Sequence, residues 1–354
     1  MRVIGLPDTM RGRPARLPPG CPPLLLVVVD TEEEFDWRRP HSRQNTAVTA
    51  IGAQGLAQEV FSRYGLVPTY VIDHPVARDP AAVGVLRKFC DQGTCRIGAH
   101  LHPWVNPPHI EPVTAYNSYP GNLSEDLERA KLETLTSAIA NAFGASPTFY
   151  KAGRYGVGSA TAGILEALGY KIDLSVVPFT KFTADGGPDF STCSFEPWWF
   201  GSADDLLEIP LACGFYGLLR ESGPALYPRI SGTTGLRLRL PGLLARSGLL
   251  ERIRLTPEGV DLAANIRLVR SLHQQGCRIF TLTYHSPSLV PGMTPYVNSQ
   301  AELSRFLATI DGLCSYFFQE LGGRASEPQE IYDLLRRERA KEEMAASAVG
   351  GGRN

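Results

Sequence analysis

Cys95-Arg-Ile-Gly-Ala-His100-Leu-His102-Pro-Trp104 is the stretch from which the rest of the chain is best read. It has the pattern of a short strand that ends in two histidines. Side chains two apart on an extended segment point to the same face. His100 and His102 can therefore aim two imidazoles at one point, with Leu101 turned away. Pro103 and the following Asn106-Pro107-Pro108 stop the strand and open a loop. Two imidazoles on a rigid strand end suit one half of a zinc-type site. A hydrogen-bonded histidine pair at a strand end is the plainer alternative, and the rest of the chain has to decide between them.

Working outward, strands alternate with helical stretches, the pattern of a parallel sheet or barrel. Leu24-Leu-Leu-Val-Val-Val29 is a strand apolar on both faces, running into Asp30-Thr31-Glu32-Glu33-Glu34. Helical spacing from Ala50 to Tyr64 leads to a strand over Val67–Ile72 that ends at Asp73-His74. A helix over Pro80–Gln92 precedes the histidine strand. Ser124 is placed to cap the next helix, which runs to Phe143. Pro147–Lys151 reads as a strand turning at Gly153-Arg154-Tyr155, and Tyr170–Asp173 and Leu206–Pro210 as two more. The stretch from Ser175 to Asp204 is irregular and holds Trp198 and Trp199. Residues 213–257 read as an insertion with short helices. A helix over Gly259–Gln275, a last strand over Arg278–Tyr284 ending at His285, and a long helix over Gln300–Leu321 follow. Residues 1–23, rich in Arg, Pro and Gly, read as a disordered leader, and 336–354 as a flexible tail.

The 354 residues can hold one large α/β barrel or two ordinary domains, and 43% apolar residues are enough for a substantial core. The net charge of −1 gives no electrostatic case for nucleic acid or an anionic membrane as partner. Seven cysteines without a Cys-x-x-Cys pair fit free thiols in a reducing compartment, so a cytoplasmic protein is expected. The apolar run Leu24–Val29 is too short for a signal segment or a membrane span.

Barrel enzymes collect their chemistry at the carboxyl ends of the strands. Those ends here carry Asp30/Glu32, Asp73/His74, His100/His102, Lys151/Arg154, Asp173, Glu208 and His285, while the strands themselves carry very few ionisable groups. Ordinary strand ends meeting water would show Ser, Asn and Gly as often. Asp30 and Glu32, two apart, can share the mouth with the histidines. A carboxylate plus two imidazoles leaves an open position, as catalytic zinc requires. Glu33 and Glu34 read as a solvated acidic run. His285 suits a general acid. Arg154 could orient a carboxylate or bind substrate. His41, His109 and His273 have no such setting, and His74 is ambiguous.

The order of these motifs resembles the polysaccharide deacetylases with a NodB homology domain, over roughly Leu24 to Leu335. The resemblance implies an α/β fold, an irregular (β/α)7-type barrel of the glycoside hydrolase/deacetylase kind. It implies a divalent metal, zinc by preference, and removal of acetyl groups from N-acetylated sugars. It implies Asp30 as base, Glu32 and His100 as metal ligands, Arg154 as the residue that positions the base, and His285 as the acid. His102 joins the ligands from its shared face with His100. Three departures mark an outlying branch. Thr31 separates Asp30 from Glu32, Trp104 stands where a second histidine four residues on is usual, and no proline precedes Tyr155.

The expected activity is metal-dependent hydrolysis of an amide C–N bond, first of all deacetylation of an acetylated sugar or glycan precursor. Trp104, Tyr155 and Asp73 are the expected substrate contacts, with Trp198 and Trp199 as further candidates for stacking on a sugar ring or for core packing. An amidohydrolase for a small cyclic amide is the enzyme alternative. A catalytically silent barrel that binds a glycan or a partner protein is the non-enzyme one.

Overall fold

The computed structural model describes residues 6–350. Besides three short edge strands, Arg13–Pro14, Trp198–Phe200 and Arg324–Ala325, its strands in chain order are β1 (Leu24–Thr31), β2 (Thr69–Ile72), β3 (Arg96–Leu101), β4 (Phe149–Ala152), β5 (Ile172–Asp173), β6 (Leu206–Glu208), β7 (Cys213–Tyr216), β8 (Glu251–Arg254) and β9 (Ile279–His285). Seven of them form one curled parallel sheet in the order β6-β5-β4-β3-β2-β1-β9. The gap between β6 and β9 is closed by irregular chain. Leu255 N donates to Ala212 O at 2.8 Å, and the Leu255 carbonyl accepts from Thr283 N at 3.3 Å. The result is an irregular seven-stranded (β/α) barrel.

Alternation along the strands builds two cores. Leu24, Leu26, Val28, Val71, Phe149, Ile172, Leu207 and Ile279 belong to the cluster inside the barrel. Leu25, Val27, Val29, Tyr70 and Phe280 belong to the larger cluster between barrel and helices. The helices are α1 (Gly55–Arg63), α2 (His74–Arg78), α3 (Pro80–Asp91), α4 (Glu125–Phe143), α5 (Thr161–Ala167), α6 (Gly223–Ile230), α7 (Thr233–Arg237), α8 (Leu240–Arg246), α9 (Leu262–Gln274), α10 (Gln300–Ser315) and α11 (Pro328–Gly350). Asp73, Asp79, Asp261 and Ser299 each cap a helix by accepting a backbone N–H. Ser124 does not: α4 starts without a side-chain cap, on the acids of its first turn, Glu125, Asp126 and Glu128.

Both ends differ from expectation. Within the leader, Met10 is fully buried, and Arg13-Pro14 pair with Trp198-Trp199. The expected tail continues α11 to Gly350. Ile331, Tyr332 and Leu335 of this helix enter the barrel-interior cluster, and Arg324-Ala325 just before it pair with the start of β1. The helix therefore closes the amino-terminal end of the barrel. A basic, proline-rich leader and a charged helix each hid a few apolar residues that find this end of the sheet. Residues 1–5 and 351–354 lie outside the described part. The 213–257 insertion is an antiparallel stem, β7 with β8, carrying α6 to α8.

Candidate active site

The inward row of β1, Leu24-Leu26-Val28, continues into Asp30, so the carboxylate emerges at the carboxyl end of the barrel. His285 is its register partner on β9, and His100 pairs with Lys151 across β3 and β4. All four side chains meet at one level. Lys151 Nζ donates to Asp30 Oδ1 at 2.5 Å and to Thr283 Oγ1 at 3.3 Å. His285 Nε2 lies 3.6 Å from Asp30 Oδ2. Burial alone would push the Asp30 carboxyl up. The Lys151 ammonium, helped by His100 and His285, brings it instead to about 2.

Beside this pair, Glu32, His100 and His102 face one another. Glu32 Oε2 is 3.5 Å from His100 Nε2 and 3.4 Å from His102 Nε2. Ligands about 2.1 Å from a tetrahedral ion lie about 3.4 Å apart, so the spacing is that of a metal triad. The donor chemistry fits as well. His100 Nδ1 is 2.9 Å from the Lys151 carbonyl, an acceptor only, so the hydrogen sits on Nδ1 and Nε2 presents its lone pair. His102 Nδ1 rests on Glu33 Oε2 at 2.7 Å, the carboxylate–histidine support common behind metals. Burial holds both imidazoles neutral, His102 at about 4. Among the described residues Glu32 Oε1 is buried without a hydrogen-bond partner. Burial and the acids Glu33, Asp30, Asp73 and Glu258 drive the Glu32 carboxyl well above its ordinary range. A cation between these three residues would relieve both the orphaned oxygen and the like-charge crowding.

Glu33 contradicts the expected solvated run. It is fully buried, with Oε1 on Trp104 Nε1 at 2.6 Å, and its backbone N–H donates to Asp73 Oδ2 at 2.7 Å. Glu34 stays nearer the surface and accepts from Thr49 Oγ1 and Ala50 N. His285 is held by a residue that the sequence did not reveal. Glu258 accepts from His285 Nδ1 at 2.8 Å and from His285 N at 2.9 Å, and Ser288 Oγ donates to it at 2.6 Å. Burial would raise the Glu258 carboxyl, but His285 and Ser288 bring it below its ordinary value.

These groups open into a cleft of about 710 Å³. Trp37 sets its ring edge-on to His285 at 4.8 Å and edge-on to Tyr296 at 5.7 Å. Tyr155 lies over the Lys151 ammonium, 5.2 Å from Nζ to the ring centre, and its hydroxyl accepts from Arg254 at 2.9 Å. Arg154 and Tyr155 both hold left-handed backbone, φ 53° and 61°, a strained pair for residues with side chains. This turn sends Tyr155 into the cleft and Arg154 to its rim. Gly153 precedes it because a Cβ there would lie 2.3 Å from the Leu101 carbonyl and 2.6 Å from the His102 ring.

Several expected site residues fall elsewhere. Arg154 does not reach Asp30. It donates to Ser118 Oγ and to Asp185 Oδ2 and covers the Tyr119 ring, and Lys151 occupies the place beside Asp30. Asp73 is fully buried behind the histidines, capping α2 through Val76 N, and does not line the cleft. Trp104 lines the cleft but is 1% exposed. His41 and His102 stack on it at 4.0 and 4.2 Å, so neither face is open to a sugar. His41, set aside on sequence, is thus part of the wall. Trp199 packs on Tyr332 and Trp198 donates to Met10 O, both away from the cleft. Asp173 and Glu208 also end strands, but on the outward parity, under the helices.

No protein-family model and no curated protein sequence matches the chain. Among solved structures it is similar to a Mycobacterium smegmatis protein assigned as a polysaccharide deacetylase, at 16% identity over 94% of this chain and 96% of that one, with a TM-score of 0.49. A family 4 carbohydrate esterase of Streptomyces lividans, solved with acetate, is 11% identical over 87% of this chain and 94% of its own, TM-score 0.41. A family 4 pseudoenzyme of Bacillus anthracis is 8% identical over 88% of this chain and 66% of its own, TM-score 0.43. At these identities the likenesses assign no residue a role. Among the described residues no helix is long and apolar enough to cross a membrane.

Proposed function

We propose that the chain is a metal-dependent hydrolase of an amide C–N bond, an outlying relative of the polysaccharide deacetylases. Its first substrate class is the N-acetyl group of a sugar or glycan precursor. The observation that carries this reading is the adjacency of two sets. Glu32, His100 and His102 have the spacing and protonation of a ligand triad, and Asp30 and His285 flank it with separate supports.

A divalent cation held by Glu32, His100 and His102, zinc by preference, would supply Lewis-acid polarisation of the amide carbonyl and a more acidic water. Lys151 keeps Asp30 ionised, with Oδ2 directed at His285, so the carboxylate can take a proton from an attacking water. Glu258 orients His285 through Nδ1 and balances the charge of the imidazolium, leaving Nε2 to protonate the leaving amine. Lys151 thus does the positioning that the family resemblance gives to an arginine. Phe35, Trp37, Tyr155, Phe182 and Tyr296 are the half-buried aromatics of the cleft lining against which a sugar ring would stack. The seven free cysteines suit a reducing compartment such as the cytoplasm, where the substrate would be a precursor rather than a finished polymer.

Acetate release from N-acetylglucosamine oligosaccharides, in parallel with opening of small cyclic amides, tests the substrate class. Zinc-loaded wild type should release acetate, and Asp30→Asn and His285→Ala should each lower turnover by roughly two to four decades. Turnover of the cyclic amides alone would move the protein to the amidohydrolase reading. No turnover of either, with metal bound, would favour the silent barrel.

A further inference from the structure

The segment 217–249, at the tip of the β7–β8 stem, has the composition of a core and the exposure of a surface. It is rich in leucine, yet no leucine between 218 and 249 is buried. Leu218 is 83% exposed, Leu236 59%, Leu238 60% and Leu243 52%. More than half of the large apolar side chains exposed on the described surface lie between 216 and 243. An isolated exposed leucine needs no explanation, but a cluster of this kind marks an interaction surface.

The charge on the same segment chooses the partner. Arg220, Arg229, Arg237, Arg239 and Arg246 stand against a single acid, Glu221, a local charge of +4 on a chain whose total is −1. Among the described residues only Arg220 of these five has an acidic partner, Glu221 at 4.0 Å. Leu236-Arg237-Leu238-Arg239 interleaves the two kinds of side chain on and just after α7, and Leu243 and Arg246 do so on α8. Exposed leucines set among unpaired arginines match an anionic lipid interface, where the apolar groups enter the acyl boundary and the cations meet head groups. A second copy of this chain is a poor fit, because two +4 faces repel.

We propose that residues 217–249 dock this protein on anionic lipid surfaces. The whole-chain charge conceals the site because the opposite charge is spread over the barrel. The stem is short. From Glu251, at the base of the docking segment, β8 runs about 10 Å at 3.4 Å per residue to Arg254, which lines the cleft. The inference does not depend on the catalytic reading.

Co-sedimentation of the full chain with vesicles tests it, using phosphatidylcholine alone and phosphatidylcholine with 30% phosphatidylglycerol. Wild type should bind the anionic vesicles at least about tenfold more tightly, and 0.5 M salt should weaken that binding. Arg237→Glu/Arg239→Glu/Arg246→Glu and, separately, Leu236→Ser/Leu238→Ser/Leu243→Ser should each lower it at least about tenfold. Both variants should keep the wild-type melting temperature within a few degrees, because these side chains are exposed. Absence of binding to anionic vesicles would overturn the proposal. So would variants that bind like wild type, or a stable homodimer in sedimentation velocity that both variants dissolve.

Discussion

Two pairs of buried acids end strands of one sheet, and they do opposite things. Asp30 and Glu32 continue the inward row of β1 and meet Lys151, His100, His102 and His285 in the cleft. Asp173 and Glu208 sit one residue out of that parity. Ile172 and Leu207 take the inward places, and the two acids point under the helices, with Asp173 on Ser175 Oγ and Glu208 on Val176 N. Among the described residues no cation pairs with them. Among the described residues Asp173 Oδ2 and Glu208 Oε2 have no donor; burial raises the Asp173 carboxyl to about 6 against the opposing hydrogen bond from Ser175, and burial with the Asp173 charge raises Glu208 well above its ordinary range. One proton shared between them accounts for all of this. A strand-end acid therefore becomes a candidate functional group only when its parity faces the mouth.

The sharpest way to break that contrast is Lys151→Met. In metal-free protein it leaves Asp30 buried and unpaired, and should lower stability by roughly 3–5 kcal/mol in urea unfolding at pH 6. The sign with pH follows from the depressed carboxyl. Stability from the pair is present above the ordinary aspartate range and is lost as pH falls through about 2, so wild type and variant should converge at low pH. A constant difference down to pH 2 would mean that the lysine acts through packing.

Glu208→Gln should behave in the opposite sense. Glu208 has a raised folded value, so wild type is favoured at low pH and loses about 1.4 kcal/mol per unit as pH climbs above the unfolded carboxylate range, until the folded value is reached. Glutamine mimics the protonated acid. The variant should match wild type near pH 4.5 and melt higher at pH 7. Destabilisation at both values would show that the proton is not shared.

Gly153→Ala tests the packing behind the triad. Its methyl meets backbone at Leu101 and the His102 ring, so it should lower stability by about 1–3 kcal/mol. A displaced His102 should also weaken metal affinity roughly 10–100-fold. Unchanged affinity would show that His102 is not a ligand. Arg154→Ala is the mildest change. Its partners Ser118 and Asp185 are at the rim, so stability should move by less than about 1 kcal/mol. A loss as large as that of Lys151→Met would put Arg154 back beside the base.

Much of this was legible in the chain because it depends on period two. The spacing of His100 with His102 and of Asp30 with Glu32, and the apolar rows leading to them, fix which way they point. A parallel sheet or barrel follows from the alternation of strands and helices. What stayed hidden depends on contacts distant in sequence. Glu33 sits in an acidic run and is buried only because Trp104 and His102 close over it. Glu258 follows an irregular stretch and meets His285 through the closing of the barrel. Lys151 faces Asp30 because it lies two residues beyond the inward Phe149 on β4, and the left-handed turn at Arg154-Tyr155 then carries Arg154 to the rim. The inward parity of Ile172 and Leu207 was present in the sequence and would have excluded Asp173 and Glu208.

The central claim is that Glu32, His100 and His102 hold one metal ion. Elemental analysis of protein purified without chelator and then supplied with zinc tests it most directly, comparing wild type with His100→Ala/His102→Ala and with Asp30→Asn. About one ion per chain in wild type and in Asp30→Asn, and near none in the double variant, is the predicted result. Equal, near-zero metal in all three would contradict the account.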